Sequence, residues 1–347
     1  NEGDLKYAVD FKNVYATGTR TVRGLEAISL SLPPTPGNSI IRRPDNQNLS
    51  SIGQLFKERG YDTRFLYGGY GYFDNMNAFF STNGFEIVDR AQFTRDEITF
   101  SNAWGVCDGD VFNKTLELAD KSFANGKPFM SLIMTTSNHR PYTYPQVIDI
   151  KSGTGRDGAV KYTDYAIGEF IKKSRNKPWF KNTIFVILAD HCASVAGKTA
   201  IPLEDYQIPW MIYAPGIIQP KVVDEMVSQM DVAPTIAGVF NFSYNSKFLG
   251  QNLLKSHKKR ALVATYQMLG LYQDDMLAIL SPQRKIEVFD VNPQSMAQNL
   301  VKGPYDPKHQ SIIDDVISYY QTSSRLYKYK MLSFEPSEYL KSNPNMQ

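Results

Sequence analysis

Cysteine is nearly missing from this chain. Cys107 and Cys192 are the only two in 347 residues, too few for a disulfide framework, and they leave the redox compartment open. No apolar run approaches the roughly 18–20 residues of a membrane span. No secretory leader opens the chain, and its first residues, Asn1–Asp4, read as the middle of a longer polypeptide. An excess of one charge is lacking as well. Lys and Arg number 38 against 35 Asp and Glu, a net charge of +3, which offers no basic face for nucleic acid. Histidine is scarce, with four residues, so the place of each one carries weight. No internal repeat or low-complexity segment is present. What remains is an ordinary globular composition, 42% hydrophobic and rich in Tyr and Phe. Its length suits one large α/β domain or two smaller ones.

The most informative stretch is Thr183–Ser194, TIFVILADHCAS. Its β-branched apolar run predicts a strand covered on both faces, and Asp190 and His191 follow at once. Ligands of open parallel sheets bind at the carboxyl ends of strands, where a carboxylate and a neutral imidazole suit a divalent metal. The plainer alternative is an Asp capping the next helix beside a surface His. A second apolar strand, Phe129–Thr136, ends in the same manner, at Ser137, Asn138, His139 and Arg140. Two of the four histidines therefore sit just past the two most apolar strands. That favours one shared site at one sheet edge, against a reading of His139 as a loop hydrogen-bonder.

The rest of the chain alternates strand and helix. Lys6–Tyr15 reads as a strand, followed by the small, hydroxyl-rich turn Ala16–Thr21 and a helix over Val22–Leu32. Thr21 then falls at a helix N-terminus, a place that favours an anion and that a Thr also occupies as a simple N-cap. Ser51–Gly60 is a short helix and Tyr61–Tyr67 a strand. Tyr67–Phe80 carries three glycines, six aromatic rings, Asp74, Asn75 and Asn77. It suits a sugar, glycerol or lipid head group, or else folds its rings onto its own core. Asp108 or Asp110 would cap a helix running to about Asn125, with Cys107 as a small buried residue. Ala159–Ser174 is a helix, Lys198 lies in a loop where it could face a phosphate, and Tyr206–Ala214 is a strand. In the turn before Phe240, Asp231 would cap a helix with Pro234 in its first turn. Ala261–Tyr266, Met276–Ser281 and Lys285–Val291 predict a small antiparallel layer, and Ser311–Lys330 a final amphipathic helix. His257 and His309 read as surface residues.

Taken in order, these segments resemble the extracytoplasmic catalytic domain of the lipoteichoic acid synthase family, within the alkaline phosphatase and sulfatase superfamily. The resemblance spans roughly Phe11 to Leu254. It runs through Thr17-Gly18…Thr21, the Gly-aromatic strand end Phe65–Asn75, Trp104-Gly105, Ser137–Pro141, Asp190-His191 and Gln229–Thr235. It implies an alkaline phosphatase-like fold: a mostly parallel sheet with helices on both faces plus a small C-terminal antiparallel layer. Residues 1–255 would form the catalytic core, with 256–347 completing the same domain.

The resemblance also implies a metal-dependent transferase. Thr21 would be the nucleophile that carries a phosphoglycerol group, activated by a divalent ion. That ion, Mn²⁺ first with Mg²⁺ or Zn²⁺ as alternatives, would be held by Thr21, Asp190 and His191. His139, Asp74 and Arg140 would bind substrate. The donor would be a phospholipid head group, the acceptor a glycerol or glycan hydroxyl, and the parent protein membrane-anchored with this domain outside the cytoplasm. Two departures stand out. The family's further metal ligand is a glutamate at the end of a first strand, and this chain begins too late to contain it. The family's His, Trp and Arg correspond here to Tyr67, Asp74 and Met76, so the phosphate-holding arginine must come from elsewhere, with Arg20, Arg23, Arg140 or Lys198 as candidates. Other readings are a phosphoethanolamine transferase or phosphodiesterase of the same superfamily, and a non-catalytic module that binds a glycan or lipid head group. A true sulfatase would need a Cys or Ser in a C/S-x-P-x-R context, which neither cysteine has.

Overall fold

The computed structural model describes residues 7–193 and 201–335. In chain order the first elements are β1 (Ala8–Tyr15), α1 (Thr21–Leu30), α2 (Ile52–Lys57), β2 (Asp62–Tyr67), α3 (Met76–Thr82) and β3 (Glu86–Val88). A minimal hairpin, β4 (Ser101–Asn102) and β5 (Gly105–Val106), leads into α4 (Asp108–Ala124), β6 (Phe129–Met134), α5 (Arg156–Ser174) and β7 (Phe185–Leu188). Then come β8 (Gln207–Tyr213), β9 (Lys221–Ser228) and α6 (Val232–Val239). The chain closes with β10 (Arg260–Ala264), β11 (Leu269–Gln273), β12 (Met276–Ser281), β13 (Lys285–Val291), β14 (Gln298–Leu300) and α7 (Pro307–Lys328).

Three sheets carry the fold. β3, β2 and β6 form a parallel sheet in that order, with Leu132 beside Phe65. β7, β8, β1 and β9 form a mixed sheet in which β8 runs antiparallel to both neighbours and β1 runs parallel to β9. Inside it the rings of Phe11 and Trp210 stack at 4.0 Å. The third sheet is an antiparallel meander, β10 to β14. The expected fold class is therefore present, and the C-terminal layer has five strands; β11 and β14 were not foreseen. Glycines and the short length of these segments mask their alternation. Other element ends shift by up to four residues, the largest at the start of α7.

Helices cover both faces of the first two sheets. On one face α4 and α5 stack Phe112 on Phe170 at 4.9 Å. There Leu116, Ala119 and Ile171 pack with Phe129 of β6 and with Ala8, Phe185 and Tyr213. On the other face Val22 and Leu25 of α1, Ile52 of α2, Phe79 of α3 and Ile236 of α6 share one core with both sheets. The C-terminal meander packs Leu262, Leu271, Ala278 and Val288 on Ile312, Ile313 and Val316 of α7. One buried ion pair, Asp231–Arg260, ties it to the segment just before α6 through two hydrogen bonds of 2.8 and 2.9 Å.

Several local expectations are corrected. Asp231 precedes α6 but makes no side-chain cap there, because its carboxylate is taken by Arg260 and by the backbone N–H groups of Ser228 and Gln251. Cys107 is the N-cap of α4, and Asp108 and Asp110 lie in its first turn. His309 is buried, its ring nitrogens 2.9 Å from Asp306 and 3.2 Å from Asp290, so two carboxylates hold it where the charged sequence context suggested solvent. His257 is half-buried against Glu225. The strand expected to be covered on both faces, β7, is partly open, and so is β6. All six residues of β6 are only half-buried, and Val186 of β7 is 38% exposed. Both β6 and β7 are edges of their sheets.

Candidate active site

A single buried amide assembles one half of the site. The backbone N–H and the hydroxyl of Thr17 both donate to Gln229 Oε1, each at 3.1 Å. Gln229 Nε2 donates to the carbonyls of Ala189 and Asp190 at 3.0 and 2.7 Å. One side chain thus spends both its acceptor and its donors on joining the turn after β1 to the end of β7. Cys192 adds a tie, its thiol reaching the Gly18 carbonyl at 3.7 Å. Burial pushes that thiol up to about 12, so it stays neutral and is no nucleophile. The helix follows the turn onto the same spot: a Cβ at Gly24 would lie 1.7 Å from the Asp190 carbonyl oxygen. Only glycine lets α1 come this close.

Thr21 heads that helix. Arg20, in an extended conformation, is the N-cap, and Thr21 is the first helical residue. The hydroxyl is therefore not spent as an N-cap, and it is half-buried at an end where free N–H groups and the helix dipole favour an anion. Thr17 is fully buried and hydrogen-bonded, while Thr19 is half-buried. Asp190 and His191 follow β7 with Oδ2 and Nε2 3.5 Å apart, their side chains 38% and 31% exposed. His191 Nδ1 lies 2.7 Å from the Cys192 carbonyl. That contact assigns the hydrogen to Nδ1 and leaves the Nε2 lone pair on the side of Asp190. A hard carboxylate and an oriented imidazole make a suitable pair of donors for Mn²⁺, Mg²⁺ or Zn²⁺. Among the described residues no group of three or more His, Cys, Asp or Glu side chains gathers for a metal, so Asp190 and His191 stand as a pair.

The second half grows from the end of β6. Asp108 is fully buried and takes the N–H groups of Thr136 and Ser137 on Oδ1, both at 2.9 Å, and the Thr163 hydroxyl on Oδ2, also at 2.9 Å. Burial raises this carboxyl above its ordinary range, against those hydrogen bonds. The segment it bolts down presents His139, which is exposed and packs on Trp104 at 3.8 Å. His139 Nδ1 and Trp104 Nε1 both meet the Arg140 carbonyl, at 3.0 and 2.5 Å. The Arg140 side chain is exposed and reaches the Tyr142 hydroxyl at 3.4 Å. Gly68 and Gly105 permit the crossing beneath: a Cβ on Gly105 would lie 2.2 Å from the Gly68 carbonyl.

The aromatic loop does both things the sequence suggested. Phe79 and Phe80 enter the core, while Tyr70, Tyr72 and Phe73 stay exposed, with Phe73 edge-on to Trp104 at 5.7 Å. Asp74 pairs with Arg42 at 3.4 Å, and Asn75 donates to the Ile41 carbonyl at 2.8 Å. Burial first, then the Asp74 charge, push the Tyr67 phenol up to about 12, so it remains a neutral donor. Met76 is fully buried. Arg23 is withdrawn from the site: it is buried and holds Glu26 and the carbonyls of Thr35 and Gly37. Arg20 is exposed at the head of α1, and Lys198 lies outside the described residues. Arg42 escaped the sequence reading, although its loop is tied to α1 where the Ser39 hydroxyl meets the Val22 carbonyl at 2.9 Å. Its one signal was a cluster of charged residues in a Pro-rich loop. Cys107 and Cys192 are both free and buried.

Comparison with known proteins matches this architecture. The family model described as Sulfatase matches residues 6–242. Phosphoglycerol transferase I of Xanthomonas axonopodis pv. citri is 24% identical over 267 residues, covering 72% of this chain and 38% of that protein. The lipoteichoic acid synthase-like YvgJ of Bacillus subtilis is 25% identical over 235 residues, covering 60% of this chain and 37% of that protein. The chain thus spans well under half the length of these curated relatives. Among solved structures, a protein in the alkaline phosphatase superfamily from Vibrio parahaemolyticus superimposes with a TM-score of 0.89 at 32% identity, over 96% of this chain and 82% of that one. The lipoteichoic acid synthase LtaP of Listeria monocytogenes has the same fold, with a TM-score of 0.79 at 18% identity over 94% of this chain and 85% of that one.

Proposed function

Since this chain belongs to the sulfatase family of the alkaline phosphatase superfamily, we propose that it is a phosphotransferase moving a phosphoglycerol-type head group from a membrane phospholipid to a glycerol or glycan hydroxyl. The observation that carries the reading is the Gln229 clamp, which seats the Thr21 turn on the Asp190–His191 strand end. The relatives named phosphoglycerol transferase supply the substrate class. The domain would work outside the cytoplasm, tethered by polypeptide beyond this sequence.

In the proposed reaction Thr21 Oγ1 attacks the phosphorus as the bond from phosphorus to the diacylglycerol oxygen breaks. The phosphoglycerol group is left on Thr21. The threonine proton ends on the leaving oxygen, relayed by His139, whose Nε2 is the ring nitrogen not engaged by the Arg140 carbonyl. The acceptor hydroxyl reverses the sequence and returns a proton to Thr21. N–H groups at the head of α1 face the phosphoryl oxygens. Asp74 and Arg140 bind the glycerol end and the rim. Asp190 and His191, with Thr21, would hold a divalent ion, Mn²⁺ by preference, which lowers the pKa of a bound hydroxyl and offsets phosphoryl charge.

Thr21→Ala is expected to lower turnover of a fluorescent phosphatidylglycerol analogue about 10³-fold or more with an unchanged circular dichroism spectrum; retained turnover would remove Thr21 as nucleophile. That no group of three or more His, Cys, Asp or Glu side chains gathers among the described residues favours one competing reading, a non-catalytic module for a glycan or lipid head group. Thermal shift with Mn²⁺ separates the two. Stabilisation of this chain, or of a form extended at its N-terminus, supports the enzyme. No shift and no turnover in either form supports the module.

A further inference from the structure

Exposed rings gather at one place on the rim of the candidate site. Tyr70, Tyr72 and Phe73 follow closely in sequence and are 52%, 79% and 42% exposed. Other exposed rings, Phe123, Tyr165 and Tyr266 among them, stand singly along the chain, which is ordinary for a folded protein. The Tyr70 and Tyr72 rings lie near-parallel, 22° apart with centroids at 5.9 Å. Phe73 meets Trp104 edge-on, and Trp104 packs on His139. The ring cluster therefore begins at the site and runs outward from it.

The loop is tied down beneath its rings. Asp89 Oδ2 takes the Gly71 N–H at 2.9 Å and the Asn77 amide at 2.7 Å, and the Asn77 N–H donates to the Gly71 carbonyl at 2.7 Å. Asp74 and Asn75 turn the chain in the left-handed region, φ 52° and 63°, which Asp and Asn tolerate better than most residues. Asn75 then donates to the Ile41 carbonyl at 2.8 Å. These ties use up the polar groups of the loop. Asn77 Oδ1 is shut off from solvent, and Asp74 is paired with Arg42. Rings whose neighbouring amides and carboxylate are already bonded are poorly equipped for sugar hydroxyls, which need partners of their own. Cations stay outside. The Arg42 side chain is 45% exposed beside Asp74, and Arg140 is exposed where its carbonyl holds Trp104.

We propose that Tyr70, Tyr72 and Phe73, with Arg42 and Arg140, form a face by which this chain itself rests on an anionic lipid bilayer. Such rings suit the boundary between acyl chains and head groups, where one end of a side chain is apolar and the other wet. Arginines beside them are drawn to anionic lipid phosphates. Docking on this face brings His139 to the level of the head groups, because only Trp104 separates it from Phe73. Such docking deepens the proposed function and rests on that reading for the bilayer as the place of the donor. Ring exposure, loop anchoring and charge carry the rest.

Sedimentation of this chain with vesicles of equal parts phosphatidylglycerol and phosphatidylcholine tests it. The triple variant Tyr70→Ser/Tyr72→Ser/Phe73→Ser is expected to weaken vesicle binding about tenfold or more, since apolar ring area no longer leaves water. Tyr72→Ser alone, at a ring 79% exposed and so without a part in folding, should weaken it about threefold. Arg42→Gln should weaken it about fivefold, an effect that vanishes on vesicles of phosphatidylcholine alone. Bromine on the acyl chains should quench Trp104, since Trp179 and Trp210 are buried, and should fail to do so in the triple variant. No vesicle binding by the unaltered chain, or equal binding by the chain and its triple variant, would overturn the bilayer face. Ring-dependent binding of a soluble β-glucan without binding to vesicles would assign the rings to a glycan and overturn it as well. Binding is read here without turnover, so ring-dependent docking with no transfer of a head group would remove the proposed reaction and support the bilayer face.

Discussion

The C-terminal meander and the other two sheets show two ways in which one chain treats apolar strands. In the meander every strand from β10 to β13 has a partner on each side or a covering helix, and Ala261, Leu262, Val263, Leu269, Leu271, Leu277 and Ala278 are almost wholly buried. In the other two sheets β6 and β7 are just as apolar and remain half-open. Hydrophobicity is therefore not what differs. What differs is the cover: β10, itself the edge of its sheet, is wholly buried, while β6 and β7 stay half-exposed at the edges of theirs. The candidate site residues follow the half-open strands, His139 after β6 and Asp190 and His191 after β7, while the closed sheet is tied to the rest through Asp231–Arg260.

The sharpest way to break this comparison is to cut the anchor. Arg260→Ala leaves the Asp231 carboxylate buried without its partner and should cost about 3–5 kcal/mol in urea unfolding. If it costs under about 1 kcal/mol, the meander is not what holds the other two sheets. A paired truncation measures the difference directly. Leu271→Ala, in the closed sheet, should cost about 2–5 kcal/mol, and Leu132→Ala, on the open edge, about 1 kcal/mol or less, since less area leaves water. Equal costs would show that the edge of β6 is as well packed as β11.

A smaller effect is read by thiol labelling. Cys192 lies in the open region but is buried against Gly18, and with its thiol pushed up to about 12 it should react with iodoacetamide at pH 8 at about one-thousandth the rate of a free thiol or slower. Fast labelling would mean that the exposure at these sheet edges extends into the Gln229 clamp. The smallest effect lies outside both regions. Hydrogen bonds from Lys114 first, then from Thr94, hold the Glu97 carboxyl down at about 2. Because the folded value lies below the unfolded one, this contribution is present above the ordinary carboxylate range and is lost as pH falls from about 4.5 toward 2. Lys114→Ala should flatten the acid limb of the stability profile there, with no change at either sheet.

The elements themselves were largely legible, because period and punctuation are local. Thr21 at a helix start, Asp190-His191 after an apolar run and His139 after another could all be read from residue order. The roles of Gln229, Asp108 and Arg42 were not legible. Gln229 meets Thr17 across 212 residues of sequence, Asp108 passes for a helix cap, and Arg42 gains meaning only when its loop meets Asp74. The misreading of His309 has the same origin: a charged neighbourhood in sequence became two carboxylates around a buried ring.

The sequence by itself determined which segments become strands and helices and which chemical groups stand at their ends, since both follow from side-chain pattern within a few residues. Tertiary structure alone decided which strands become neighbours, that β6 and β7 are the edges of two separate sheets, and that one buried amide joins the turn before Thr21 to the end of β7. Those outcomes depend on hydrogen-bond partners and apolar surfaces far apart in the chain, which residue order does not encode locally.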